Sequence, residues 1–120
     1  MAARSGPALG LVEVASIARA GGALFALDEI QSGVGRTGAW FACEHDGVIP
    51  DLMCVGKALG GGYPISACMG SAELMSCWGL STGEALHTQT FLGHPIGCAA
   101  AAAVLSVMRR EGTPERIKRR

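Results

Sequence analysis

Short apolar runs alternate along this chain with segments that are rich in glycine or polar residues. Three of the runs are predicted as strands: residues 23–27, Leu52–Val55 and residues 65–70. A continuous apolar run of this length, bounded by Gly, Pro or acidic residues, is typical of a strand that is buried on both faces. The pattern therefore predicts a sheet that other layers of the protein cover.

Longer segments between and after these runs have helical spacing and recognisable ends. Residues 9–19 are predicted as a helix that glycines stop, and residues 40–45 as a short helix. Residues 71–77 are predicted as a helix with Ser71 as its N-cap. Residues 93–110 are also predicted as a helix, because Pro95 lies near the start and arginines lie at the end. A further helix is predicted from Pro114, and residues 81–89 are predicted as a polar loop.

Strands that alternate with connecting segments predict an α/β protein with a mainly parallel sheet flanked by helices. In such sheets, ligands bind beyond the carboxyl ends of the strands. Asp28 follows the first predicted strand and Lys57 follows the second. Both side chains are therefore expected at the ligand-binding edge.

Composition limits the class of protein. The chain has 120 residues and is 49% hydrophobic and 17% charged, which excludes a disordered polyelectrolyte. Its formal net charge of +0 gives no general attraction to nucleic acid or to anionic membrane. Between Ser5 and Met108 the side chains with a fixed positive charge are those of Arg19, Arg36 and Lys57. So few charges predict that further sequence or a partner covers part of the surface.

Five cysteines without a CxxC pair favour reduced thiols over a zinc site or a disulfide framework. No apolar run is long enough to span a membrane. His45, His87 and His94 have no regular ligand spacing, so no metal site is predicted. We expect a cytoplasmic protein that binds neither membrane nor nucleic acid.

Lys57 and Asp28 are the first candidates for chemistry. A lysine in an apolar site favours its neutral, nucleophilic amine, although a lysine at a strand end can also extend its amine to water. A carboxylate at the end of an apolar strand must be paired or hydrogen-bonded, and it can equally cap a neighbouring turn. Ile30, two residues after Asp28, shares a strand face with it.

Residues 33–38 match the GxGxxG pattern of dinucleotide-binding loops. The context is poor, because three residues separate the loop from the strand and Gly47 follows too soon for a crossover helix. Hydroxyls at Ser81, Thr88 and Thr90 precede the long predicted helix. They could bind a phosphate at its N-terminus or simply cap it.

Four blocks resemble the signature motifs of class III aminotransferases, which are pyridoxal-phosphate enzymes of fold type I. They are DEIQSGVGRTG at residues 28–38, PD at 50–51, GKALGGGYP at 56–64 and HTQTFLGHP at 87–95. The order and spacing of the blocks agree with the family, and the resemblance covers nearly the whole chain. The family commonly has Asn where this chain has His94.

The resemblance implies a role for each matching residue toward pyridoxal 5'-phosphate. Lys57 would be the Schiff-base lysine, and Asp28 would pair with the ring nitrogen and keep it protonated. Ile30 would pack on the ring face, and Gln31 would hydrogen-bond near the ring hydroxyl. Thr90 would contact the cofactor phosphate, usually across a dimer interface.

The resemblance also implies that residues 1–120 are the second half of the large, cofactor-binding domain, running toward the small domain. The expected reaction is transfer of an amino group between an amino acid or amine and a 2-oxo acid, by a homodimer, with the isolated chain inactive. The sequence does not identify the donor or the acceptor. Two alternatives remain: an inactive remnant that serves as a dimerisation or interaction module, and a nicotinamide-binding α/β domain.

Overall fold

Three strands form one mixed sheet in a computed structural model that describes residues 10–79, 82–83 and 89–119. Strand β1 is Ala26–Asp28, β2 is Leu52–Val55 and β3 is Ala67–Gly70. β1 and β2 are parallel, with Asp28 opposite Cys54, so two carboxyl ends lie at one edge as expected.

β3 runs antiparallel to β2, so the described part of the sheet is mixed, with one parallel and one antiparallel pair of strands. The reason is the short connection between these strands. A parallel return needs a crossover of about a dozen residues or more, usually with an α-helix. The connection here contains only a 3₁₀ helix, Lys57–Gly60, so the chain reverses instead.

Within the described ranges, four α-helices flank the sheet, and their ends follow local signals. They are α1, Leu11–Ala20; α2, Ala72–Met75; α3, Pro95–Glu111; and α4, Thr113–Lys118. The Ser71 hydroxyl accepts a hydrogen bond from the Leu74 amide at 3.1 Å and caps α2 as predicted. α3 ends at Gly112, whose φ of 57° is the left-handed conformation that glycine adopts readily.

The predicted helix at residues 40–45 is a 3₁₀ helix, Ala42–Asp46, closed by Gly47 with a φ of 62°. No helix in the described part of the chain is long and apolar enough to cross a membrane. The predicted polar loop at residues 81–89 lies largely outside the described residues.

The core lies on one face of the sheet, whereas burial of the strands on both faces was predicted. Met53 and Val55 of β2 are buried, while Leu52 and Cys54 on the other face are half-buried and every residue of β3 is exposed. Buried side chains from the rest of the chain complete this core: Ala15, Phe25, Val34, Cys43, Val48, Leu59 and Ala101. The described helices do not cover the second face, so the cover that the sequence predicts for it is not supplied by the described residues.

Candidate functional site

Asp28 ends β1 with its carboxylate exposed at the edge of the sheet. Its Oδ1 accepts a hydrogen bond from the Ile30 amide at 2.9 Å. This local turn fixes the direction of the chain as it leaves the strand. The carboxylate thus keeps further acceptor capacity for a ligand that arrives from solvent.

Lys57 starts the 3₁₀ helix directly after β2, with a φ of 42°. A residue other than glycine in this region carries backbone strain, and such strain concentrates at active sites and ligand clamps. Leu59, two residues on in the same 3₁₀ helix, is buried in the core.

The Lys57 side chain is exposed, so the apolar surroundings predicted for it are not supplied by the described residues. Its Nζ instead donates a hydrogen bond to Oε1 of Gln31. The contact joins the turn after β1 to the turn after β2. The amine is therefore held by a neutral amide rather than by a carboxylate.

Ile30 lies close to the turn that carries Lys57. A Cβ built on Gly56 would lie 3.4 Å from Ile30 Cγ2, so the residue before Lys57 passes close to the isoleucine side chain. The structure thereby brings four predicted site residues to one edge of the sheet. We call this group the strand-end edge; it comprises Asp28, Ile30, Gln31 and Lys57.

The charges at this edge are not neutralised by an ion pair within the part of the chain that the structure describes. The ion pair found among the described residues joins Arg116 and Glu111, so Asp28 and Lys57 form no ion pair with each other or with another charged side chain in those ranges. An exposed carboxylate, an apolar side chain and an exposed amine fit a flat heterocycle that carries a basic nitrogen and a carbonyl. Pyridoxal phosphate is such a group.

An open depression of about 520 Å³ lies beside Lys57. Its lining consists of Arg36, Lys57, Ala58, Gly61, Gly62, Tyr63 and Pro64. Two of these residues, Arg36 and Lys57, are cationic. Three others are two glycines and a proline of the loop that follows Lys57. The volume falls within the range of small-molecule sites, roughly 300–1,000 Å³.

Thr90 is exposed in the turn that precedes α3, and no hydrogen bond found among the described residues joins it to Asp28 or Lys57. His94 explains how that turn is built. Its Nδ1 accepts a hydrogen bond from the Gly97 amide at 3.4 Å and lies 3.2 Å from the Tyr63 hydroxyl, with the two rings stacked at 5.9 Å. His94 therefore caps α3 and ties it to the loop that follows Lys57.

Glu29 is the residue whose importance sequence reasoning missed. It is only 3% exposed, and its carboxylate accepts hydrogen bonds from the Ser32 hydroxyl and from the backbone amides of Ala42 and Cys43. Burial raises the pKa of Glu29, but these hydrogen bonds outweigh it and leave the pKa below its usual value. We call Glu29, Ser32, Ala42 and Cys43 the Glu29 cluster.

The GxGxxG segment packs beneath the C-terminal helices. A Cβ on Gly35 would meet Met108 Cε at 2.5 Å, and one on Gly38 would lie 3.0 Å from Lys118 Cα. A 3₁₀ helix follows the segment, not the α-helix whose N-terminus binds a pyrophosphate. These glycines serve helix packing, and the geometry does not favour a dinucleotide site.

Metal-binding geometry is also lacking in the described ranges, where no group of three or more His, Cys, Asp or Glu side chains could hold an ion. His45 instead lies 3.1 Å from the Thr37 hydroxyl through its Nε2. His87 lies outside the described residues.

Comparison with known protein families gives a match over residues 7–120 to the model described as aminotransferase class-III. Solved structures agree. An ornithine aminotransferase from Toxoplasma gondii is 40% identical, with a TM-score of 0.81 over 91% of this chain. The active site of that protein holds pyridoxal phosphate at partial occupancy.

Two further structures extend the likeness. An acetylornithine aminotransferase from Elizabethkingia anophelis is 39% identical, with a TM-score of 0.79 over 88% of this chain. An S-selective transaminase from an Arthrobacter species, with alanine bound, is 32% identical with a TM-score of 0.78, also over 88%. The chain spans 25%, 26% and 22% of these three proteins, in the order given.

Proposed function

Because the chain belongs to the class-III aminotransferase family, we propose that its protein transfers an amino group from an amino acid or amine to a 2-oxo acid, with pyridoxal phosphate as cofactor. The observation that carries the proposal is the strand-end edge. It places a carboxylate and an amine, neither of them in an ion pair among the described residues, at adjacent ends of two parallel strands. Pyridoxal phosphate, when bound, supplies the carbonyl that takes up the amino group and a ring that accepts electrons.

Asp28 is proposed to hold a proton on the ring nitrogen of the cofactor. A carboxylate next to a basic nitrogen favours the protonated form of that nitrogen. The Ile30 amide orients the carboxylate through Oδ1, which leaves Oδ2 to face the ligand. Ile30 itself is proposed to pack against the ring face.

Lys57 is proposed to hold the cofactor covalently through Nζ. Once released by the amino substrate, the same Nζ moves the proton at the α carbon of the substrate, as a general base and then a general acid. Gln31 orients Nζ from the neighbouring turn. The strained backbone at Lys57 fixes where the side chain starts.

Thr90 is proposed to bind the cofactor phosphate of a second copy of the protein. Support comes from its exposed position in the turn before α3 and from its place in the matching family motif at residues 87–95. A homodimer follows from this proposal, because each site would need a hydroxyl from its partner.

The substrate class is proposed from the relatives. The ornithine and acetylornithine aminotransferases are 40% and 39% identical to this chain, against 32% for the S-selective transaminase. Amino donors of the ornithine type are therefore the first to test, with alanine as the comparison.

The test uses the full-length protein that contains this chain, loaded with pyridoxal phosphate. Ornithine, N-acetylornithine and alanine are each offered with a panel of 2-oxo acids, and the new amino acid is measured by chromatography. We expect transfer with at least one pair. Cofactor binding without transfer from any donor would favour the inactive interaction module, and NAD binding without a covalent pyridoxal adduct would favour the nicotinamide alternative.

We further propose that residues 1–120 alone are inactive and poorly soluble. Large apolar side chains are exposed on the isolated chain, including Ile49 at 78%, Phe91 at 74% and Leu24 at 59%. Surfaces of this kind promote association. Expression of the chain alone, followed by assays of solubility, cofactor binding and amino transfer, tests this; a soluble and active product would contradict it.

A further inference from the structure

The sheet carries a pair of cysteines that the proposed reaction does not use. Cys54 on β2 lies directly opposite Cys68 on β3, and both are free thiols. Side chains of opposite residues on antiparallel strands project from the same face, with Cβ atoms about 4.5–5.5 Å apart. The register of the sheet therefore brings these two sulfurs together.

The backbone hydrogen bonds identify the kind of pair. The Cys54 carbonyl accepts a hydrogen bond from the Glu29 amide at 2.8 Å, on the side of β1. Since the amide and carbonyl of one strand residue point to the same neighbouring strand, Cys54 makes no backbone bond to β3. Cys54 and Cys68 thus form a non-hydrogen-bonded pair, for which the Cα atoms lie about 4.5 Å apart, within the range of about 4.4–6.8 Å that disulfides span.

The two thiols differ in reactivity. Cys68 is exposed and Cys54 is half-buried. Burial, the adjacent Cys68 side chain and the Asp28 carboxylate all raise the pKa of the Cys54 thiol. Cys68 is therefore the thiol that a reagent in solution meets first, and Cys54 is placed to react with it second.

We propose that Cys54 and Cys68 form a reversible cross-strand disulfide when the protein meets a small-molecule disulfide such as oxidised glutathione. The Cys68 thiolate attacks one sulfur of oxidised glutathione, whose S–S bond breaks and releases one glutathione thiol. The Cys54 thiolate then attacks Sγ of Cys68 and releases the second glutathione. Two protein thiols are oxidised, with loss of two electrons and two protons, and one glutathione disulfide is reduced to two thiols.

The disulfide would lie next to the strand-end edge and would restrain the segment that carries Lys57. Asp28, Cys54 and Cys68 lie in one row across the three strands. The segment between the two cysteines carries Lys57, so the disulfide closes the loop that positions this lysine. Formation of the bond does not depend on the proposed transaminase activity.

Cleavage at methionine isolates this pair from the other cysteines. Cyanogen bromide cuts after Met53 and Met69, and the fragment from Cys54 to Met69 contains both cysteines of the pair and neither Cys43, Cys77 nor Cys98. The full-length protein is incubated with oxidised glutathione, quenched in acid, cleaved and weighed by mass spectrometry. We expect this fragment to lose the mass of two hydrogen atoms and to regain it after reduction with dithiothreitol.

Variants separate the pair from general thiol oxidation. In Cys68→Ser the fragment should show no internal bond, whereas Cys77→Ser, which removes another exposed thiol, should leave the bond unchanged. The proposal is overturned if the wild-type fragment stays a dithiol or carries glutathione only. It is equally overturned if the bond forms as fast in guanidinium-unfolded protein as in the folded protein, since the sheet would then play no part.

Discussion

Asp28 and Glu29 are adjacent acids with opposite surroundings. Asp28 is exposed, accepts one local hydrogen bond and pairs with no cation in the described chain. Glu29 is buried and accepts hydrogen bonds from three groups of the Glu29 cluster. Successive residues at the end of a strand point to opposite faces, so one acid meets solvent at the strand-end edge and the other meets the protein interior.

The contrast separates a carboxylate held for a ligand from one that organises the fold. A buried carboxylate must satisfy its acceptors within the protein, and its partners then become fixed to it. An exposed carboxylate at a strand end keeps acceptor oxygens free for a ligand, at little cost in the free energy of unfolding. We therefore expect changes at the strand-end edge to reduce catalysis, and changes at the Glu29 cluster to reduce stability.

Lys57→Ala should give the largest effect of all. Without Nζ the full-length protein loses the covalent link to the cofactor and the group that moves the substrate proton, so turnover should fall about 10⁴-fold or more. Borohydride reduction and peptide mapping would show the loss of the adduct. The matched control is Lys118→Ala, which removes the other lysine of this chain. An adduct that persists on another lysine would exclude the assigned role.

Asp28→Asn sharpens the contrast from the catalytic side. A neutral amide no longer favours a protonated ring nitrogen, so turnover should fall on the order of 10²-fold while the cofactor still binds. The free energy of unfolding should change by no more than about 0.5 kcal/mol, as is usual for an exposed site. Turnover close to that of the wild type would show that the charge of Asp28 is not used.

Part of this arrangement could be predicted from sequence because its signals are local. The Ser71 cap, Pro95 at the start of α3 and the bounds of β2 depend on neighbours within a few residues, and the structure confirms them. The family motifs predicted the residues of the strand-end edge, and their roles toward the cofactor stay predictions.

The remaining features of the fold and of the candidate site depend on contacts between residues that are distant in sequence. The donors that hold Glu29 come from Ala42 and Cys43, 13 and 14 residues away, and no local pattern marks them. The exposure of one sheet face likewise depends on which segments of the chain return to cover the strands. The strained φ of Lys57 results from how the turn after β2 packs, which residue types alone do not reveal.

Glu29→Gln tests whether the Glu29 cluster contributes to the stability of the fold rather than to catalysis. The amide keeps one acceptor oxygen but turns an amino group toward backbone donors, so the free energy of unfolding should fall by about 1.5–3 kcal/mol. Turnover per folded molecule should change little. Chemical denaturation of the full-length protein measures the first quantity, and an assay corrected for the folded fraction measures the second.

The same variant should change the response to acid. Because the pKa of Glu29 is lowered in the folded protein from its usual 4.5, its contribution is present above pH 4.5 and is lost as the pH falls through the folded pKa. Wild type should therefore lose stability below pH 4.5 more steeply than Glu29→Gln. Parallel acid titrations followed by circular dichroism compare the two, and identical slopes would contradict a structural role for this charge.

Two glycines give the smallest test of the contrast. A Cβ on Gly33 would lie 2.7 Å from the Glu29 carbonyl oxygen, which is backbone and cannot turn away, so Gly33→Ala should cost about 1–3 kcal/mol. A Cβ on Gly56 would meet Ile30 Cγ2 at 3.4 Å and the Ile65 carbonyl oxygen at 3.6 Å, which is ordinary contact. Gly56→Ala should therefore lower the free energy of unfolding by less than about 1 kcal/mol. The added methyl group would press on the Ile30 side chain, which is proposed to pack on the cofactor, so it should weaken cofactor affinity.

Thermal unfolding of the two variants and cofactor titration by absorbance separate these effects. A larger loss of stability in Gly56→Ala than in Gly33→Ala would reverse the assignment of structural and ligand-binding roles to the two regions.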